Sequence, residues 1–160
     1  MNNTTEMKTE LVIEYYASGK KKFEHIYKDG KKNGSWLSWW ENGRIKEEGT
    51  YLNDKMDGLY VCYWKNGKKY KEMTLVDGKE EGELLMWFGN GKKKSKGSFK
   101  SGKQEGLVTW WYGSGEKQNE SNWKNGERDG MELGWFRNGK KEFEGNWKKD
   151  RKSTRLNSSH

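Results

Sequence analysis

A chain of 160 residues with 35% charged and 30% hydrophobic side chains and a formal charge of +8 leans toward disorder on composition, yet 14% aromatic residues, ten of them Trp, exclude that outcome. Each ring buries roughly 150–250 Å², so hydrophobicity is spent on a few large side chains. No Pro interrupts strand pairing, and the single Cys62 excludes an internal disulfide.

Residues 1–9 form an N-terminal extension with no basic segment followed by an apolar one, so no secretory signal is expected. The longest apolar run, LYVCYW at 59–64, is far shorter than the about 20 residues that cross a bilayer, and a cytoplasmic chain is expected. From residue 10 the sequence repeats every 24 residues, in copies 10–33, 34–57, 58–81, 82–105, 106–129 and 130–150. Gly34, Gly58, Gly82, Gly106 and Gly130 open five of these and define position one. Position ten is Gly throughout: Gly19, Gly43, Gly67, Gly91, Gly115 and Gly139, each preceded by Asn or Ser. Position 21 is a second turn signal, with Gly30, Gly78, Gly102 and Gly126, and with Asp54 and Asp150 in the other copies.

The rings follow the same columns. Position six reads Tyr15, Trp39, Tyr63, Trp87, Trp111 and Trp135; position seven reads Tyr16, Trp40, Trp64, Phe88, Tyr112 and Phe136; position 18 reads Tyr27, Tyr51, Leu75, Phe99, Trp123 and Trp147. Asn-Gly between aromatic runs is a strong hairpin signal, because a tight turn needs positive φ. Strands are therefore predicted over positions two to eight and 11 to 19, and Gly every ten or so residues leaves no room for a capped helix. The predicted fold is all-β, an antiparallel hairpin meander or solenoid of about twelve strands, extending about 58 Å at about 4.8 Å per strand.

Adjacent residues on a strand point to opposite faces, so positions six and seven put one ring ladder on each face. Position four (Ile13, Leu37, Val61, Leu85, Thr109, Leu133) joins position six, which makes that face the better core candidate. A three-residue loop with a Gly bulge adds position 18, Phe23 and Phe143 to it; a two-residue loop puts position 18 on the other face. The bulged loop is preferred.

The order of Gly, aromatic pair, Asn-Gly-Lys, a Glu five residues after that Gly, an aromatic, and a second Gly-Lys resembles the MORN repeat, and more closely its bacterial variant form, over residues 10 to about 150. The resemblance implies a β-hairpin solenoid. It also implies an antitoxin component of a toxin–antitoxin pair, with protein scaffolding and phospholipid membranes as the associations of MORN repeats elsewhere. It carries over no catalytic residue. Glu10, Leu75, Lys96 and Glu132 depart from the pattern.

Enzyme chemistry finds no footing. Only His25 and His160 are present, with one Cys, so no metal-ligand set and no Cys-His pair exists, and no cofactor is expected. Glu24, Glu48, Glu72, Glu120 and Glu144 form a carboxylate ladder that reads as a solvated face, each Glu beside lysines of neighbouring strands. Lysines after the Gly turns line one sheet edge with positive charge. Residues 151–160, RKSTRLNSSH, break the period and read as a non-native tail, which leaves +5 for residues 1–150. The expected function is binding, with the position-seven column (Tyr16, Trp40, Trp64, Phe88, Tyr112, Phe136) as a ladder of anchors and Lys68, Lys92 and Lys140 as a basic rim. A protein partner, a cognate toxin, is favoured over anionic lipid or glycan, and nucleic acid is disfavoured.

Overall fold

The computed structural model describes residues 8–156, with side chains described through residue 152. The strands are β1 (Thr9–Tyr15), β2 (Lys21–Lys28), β3 (Lys31–Trp39), β4 (Ile45–Leu52), β5 (Lys55–Met56), β6 (Gly58–Tyr63) and β7 (Lys69–Val76). The second half continues with β8 (Lys79–Trp87), β9 (Lys93–Lys100), β10 (Lys103–Trp111), β11 (Lys117–Lys124), β12 (Glu127–Trp135), β13 (Lys141–Lys148) and β14 (Arg151–Leu156). They form one antiparallel sheet in which spatial order follows chain order, with the short β5 paired to β4.

The turns explain the meander. At positions 20 and 21 two consecutive residues take positive φ, as in Asp29 (51°) and Gly30 (78°) or Asn125 (53°) and Gly126 (86°), the requirement of a two-residue hairpin turn whose twist matches the strands. At the other edge the Gly43 N–H donates to the Trp40 carbonyl (2.8 Å) and the Trp40 N–H to the Arg44 carbonyl (2.8 Å), a pattern repeated in all six copies. This is the bulged three-residue loop expected from the sequence.

The face assignment is corrected. In every copy a second bulge follows the loop, so that Trp39 faces Ile45 but Ser38 already faces Glu47, skipping Lys46 at position 13. One extra residue moves everything beyond it to the opposite face. Positions 14, 16 and 18, with Phe23 and Phe143, therefore lie across from positions five, three and one, away from positions four and six. Eight of the ten buried side chains described, among them Cys62, Met73, Leu75, Val108 and His25, lie on that face, which makes it the core; only Val61 and Thr109 are buried on the face of position four.

The core face is built from two rows. One alternates positions three and 16: Val12 faces His25, His25 faces Trp36, Met73 faces Leu84 and Ser121 faces Glu132. Trp36 stacks on His25 (5.7 Å) and on Tyr60 (6.1 Å). Gly49, between those rings, leaves room that a Cβ would take, 3.4 Å from the Tyr60 ring. Gly134, at position five, is stricter, since a Cβ there would collide with the Phe143 ring. Glu132 is a carboxylate on this face and is satisfied by the Trp147 indole N–H at 2.7 Å and the Asn119 amide at 3.3 Å, which turns the sixth copy into a polar version of the same layer.

Arg151–Leu156 pairs with β13, Trp147 facing Lys152, so the sheet runs past residue 150. The Lys149–Asp150 turn (φ 49° and 58°) returns the chain, and the backbone of an extended segment suffices to pair with the open edge of β13. Residues 157–160, and 1–7 at the other end, lie outside the described residues.

Candidate functional site

The position-seven column sits where each bulged loop begins, and its rings reach along the sheet edge into the next copy. The Tyr16 hydroxyl donates to the Trp39 carbonyl (2.7 Å), the Trp40 indole to Tyr63 (3.2 Å), the Trp64 indole to Trp87 (3.2 Å) and the Tyr112 hydroxyl to Trp135 (2.9 Å). The loops add parallel links: the Asn42, Asn66 and Asn90 amides donate to the carbonyls of Lys65, Gly89 and Gly113. The Lys68 ammonium donates to Asn90 O (2.8 Å) and that of Lys92 to Ser114 O. Cations also lie over the rings, Lys65 at 5.4 Å from Trp40, Lys94 at 5.9 Å from Phe88 and Arg137 at 5.3 Å from Tyr112. The ladder is thus one column, as the sequence grouped it, but four of its six rings give their polar tip to a neighbouring copy. Tyr16, Trp40, Trp64, Phe88 and Tyr112 are half-buried, and Phe136 is 47% exposed. Lys140 follows the last of these loops, its backbone N–H held by the Asn138 side chain at 3.0 Å.

A second set of residues, which the sequence reading did not use, is more open. Position two carries Leu11, Leu59, Leu107 and Met131, 57%, 55%, 50% and 49% exposed, on the face opposite the core. Leu59 forms the shared wall of two shallow grooves of about 330 and 300 Å³. One is lined by Ser35, Leu37, Thr50 and Val61, the other by Glu72, Thr74, Gly82 and Leu85. The signal was present: Leu11, Leu59 and Leu107 recur at twice the repeat length. It was missed because Ser35 and Glu83 hold position two in the copies between, so the column does not read as apolar.

Between these leucines and the basic edge runs the carboxylate row. Position 15 faces position four on both neighbouring strands, as Glu48 does with Leu37 and Val61. The bulge at position 13 lets a Lys three residues earlier on the same strand reach it: Lys21–Glu24 (2.8 Å), Lys117–Glu120 (2.6 Å), Lys141–Glu144 (2.7 Å) and Lys69–Glu72. The partners are thus on the same strand, where neighbouring strands were expected to supply them. In copy two Ile45 replaces that Lys, and Glu48 accepts the Tyr63 hydroxyl instead at 2.5 Å. Burial and that bond push the Tyr63 phenol up to about 12. Lys96, which reverses the charge, pairs with Glu83 at 2.5 Å. The lysines of these pairs are solvent-exposed, so screening keeps each pair weak and the row orders and solvates the face. Among the described residues no group of three or more His, Cys, Asp and Glu side chains is arranged to hold a metal ion.

His25 is a core residue, 8% exposed among Phe23, Tyr27, Trp36 and Tyr51, with no hydrogen-bond partner for Nδ1. Burial, aided by Lys32, lowers its pKa below the ordinary value. The unfolded chain therefore binds a proton at higher pH than the folded one, and stability is lost as pH falls from about 6.5 through the folded pKa. We expect the denaturation midpoint to drop between about pH 7 and 5, and His25→Phe to flatten that part of the profile. An unchanged slope in the variant would show that His25 is not the group responsible.

Copies alike in turn and bulge, most of them bonded to the next along one edge, form a hairpin-repeat scaffold. The family model described as MORN repeat variant matches residues 11–29, 32–53, 56–77, 80–101 and 104–125, and the chain belongs to that family. Its members are repeat scaffolds that often serve in binding and are generally not catalysts. The sixth copy, outside the matched segments, repeats the loop and bulge through Phe136, Gly139 and the Trp135–Lys141 pairing. No curated protein matches the chain.

Proposed function

We propose that the chain is a non-enzymatic scaffold that binds another protein on its position-two face, and that the partner is the toxin of a toxin–antitoxin pair, held in the cytoplasm. The observation that carries this reading is the column Leu11, Leu59, Leu107 and Met131, half exposed on a face with apolar grooves beside Leu59. Extended surfaces of stacked repeats usually serve recognition, and side chains of a partner seated in such grooves supply the anchors of an interface. Phe136 is the most open ring of the position-seven ladder, four of the others bracing the edge beside it through bonds to the next copy, and the loops with Lys68, Lys92 and Lys140 form a rim that steers approach. The basic edge favours a second reading, attachment to an anionic membrane, because Lys20, Lys21 and Lys22 in the first copy and Lys92, Lys93 and Lys94 in the fourth place two lysine clusters along it.

The test is co-expression with the product of the adjacent gene, scored by relief of growth inhibition and by co-purification. Binding of the chain to anionic vesicles with no co-purifying protein and no rescue of growth would replace the first reading by the second. Leu59→Ser with Leu107→Ser should abolish co-purification while leaving the circular dichroism spectrum unchanged, since both side chains are at least half exposed.

A further inference from the structure

The face opposite the core carries seven of the nine large apolar side chains that stand exposed among the described residues, Trp110 and Phe136 being the other two. The strands all join one sheet, so among the described residues no second layer lies over that face. Its relief is self-complementary at the third copy. There Leu59 stands between the two grooves of about 330 and 300 Å³, with Val61 beside it on the strand and Thr74 across from it. A second chain turned over by a half-turn about an axis along these strands reverses the order of copies, while each position keeps its height along the strand. Leu59, Val61 and Thr74 then meet their own counterparts, and copy two lies over copy four. The two exceptions in the carboxylate row come into register. Glu48, the Glu of that row with Ile45 where the others have a Lys three residues earlier, faces Lys96, the cation that reverses the row's charge. Leu37 faces Leu85 in the same overlay. An axis at copy four would instead set Glu83 on Glu83 and Lys96 on Lys96.

We propose that the free chain is a dimer in which two sheets stack through this face, opposed in copy order about copy three, with reciprocal ion pairs between Glu48 of one chain and Lys96 of the other. The inference rests on the reading of this face as a binding surface and adds its regulation, since a partner gains the face by displacing the second chain. A two-fold contact is made twice, so each pairing counts double. Lys96 holds Glu83 at 2.5 Å in its own chain, and its ammonium has donors left for a second carboxylate. Glu72 meets its own counterpart, but Lys69 accompanies each of them. Aligned sheets cross at about 30°, so the fit is closest at copy three, and the long Lys side chain takes up the offset one copy away. The long strands of copies two to four (β3, β4, β6, β7, β8 and β9) present about 700 Å² at about 4.8 Å between strands and about 3.4 Å per residue. A standard interface takes about 800 Å² from each partner, and the flanking copies supply the remainder.

Sedimentation equilibrium of the full chain, with no partner present, should give twice the mass of one chain. Glu48→Lys and Lys96→Glu should each weaken the dimer at least tenfold, because each sets like charges together at both contacts. Mixed in equal amounts, the two variants should dimerise again: the new lysine of one meets the new glutamate of the other, and the native Glu48 and Lys96 form the second contact. Thr74→Cys, exposed and on the axis, should link two chains on oxidation in an otherwise native background, and Cys62, buried on the other face, does not compete. A monomeric chain, a dimer indifferent to both charge reversals, a mixture that does not reassociate, or a Thr74→Cys chain that does not cross-link would each overturn the proposal. Because the adjacent gene's product is absent from these measurements, a monomeric result removes the dimer alone and leaves partner binding to co-purification.

Discussion

Deleting residues 82–105 should give a shorter protein that still folds cooperatively, whereas deleting twelve residues, such as 82–93, should destroy the fold. A whole copy can be removed because every cross-copy contact is made again at the same position. The Trp64 indole would meet the Trp111 carbonyl in place of that of Trp87, and the Asn66 amide would keep a partner in Gly113 in place of Gly89. Half a copy removes one strand, reverses the direction of all that follows, and leaves no register in which both bulges fit. The choice of copy matters. Residues 82–105 contain none of the five buried apolar side chains, while 58–81 contain Val61, Cys62, Met73 and Leu75. Removing 58–81 should therefore cost far more stability than removing 82–105. Circular dichroism and denaturant titration read both outcomes, and equal tolerance of 24- and 12-residue deletions would show that the hairpin pair is not the unit.

The second large effect is Trp36→Ala, expected to cost about 3 kcal/mol, the low end for losing a large ring because Trp36 is partly exposed. The ring lies between His25 and Tyr60 and meets Tyr51 edge-on at 6.1 Å, so its removal opens the core face across three neighbouring strands and leaves His25 beside a void. Leu59→Ala, on the opposite face, should cost under about 1 kcal/mol because the side chain is 55% exposed. Denaturation midpoints give the ranking directly. If Leu59 proved the costlier loss, the position-two face would be the core and could not serve as the binding surface.

The hairpins, their turns and the six-copy count were legible because turn chemistry and ring columns are local. Position 10 needs Gly at positive φ, and positions 20 and 21 carry residues that tolerate it, so each copy announces its own punctuation. The core face was not legible. It depends on the bulge at position 13, whose residues Lys22, Lys46, Tyr70, Lys94, Gln118 and Glu142 share no chemistry that marks them as unpaired, and one extra residue reverses the face of everything beyond it. Trp36 and Tyr60 went unused for a related reason: position three varies from Val12 to Glu132, and its role as the core row emerges only when position 16 is set opposite. The role of the position-seven rings was hidden because their partners are backbone carbonyls one copy away, a distance of 23 residues that no local pattern reports.

The dissociation rate of the complex between this chain and the product of the adjacent gene tests the central claim most directly. With position-two side chains as anchors and basic loops as rim, Leu59→Ser combined with Leu107→Ser should speed dissociation at least tenfold, a loss of about 1.4 kcal/mol or more. Lys92→Glu should slow association at low salt and leave dissociation nearly unchanged. Dissociation that is indifferent to Leu59 and Leu107 but accelerates on Lys92→Glu would contradict the account and move the binding surface from the open face to the basic edge.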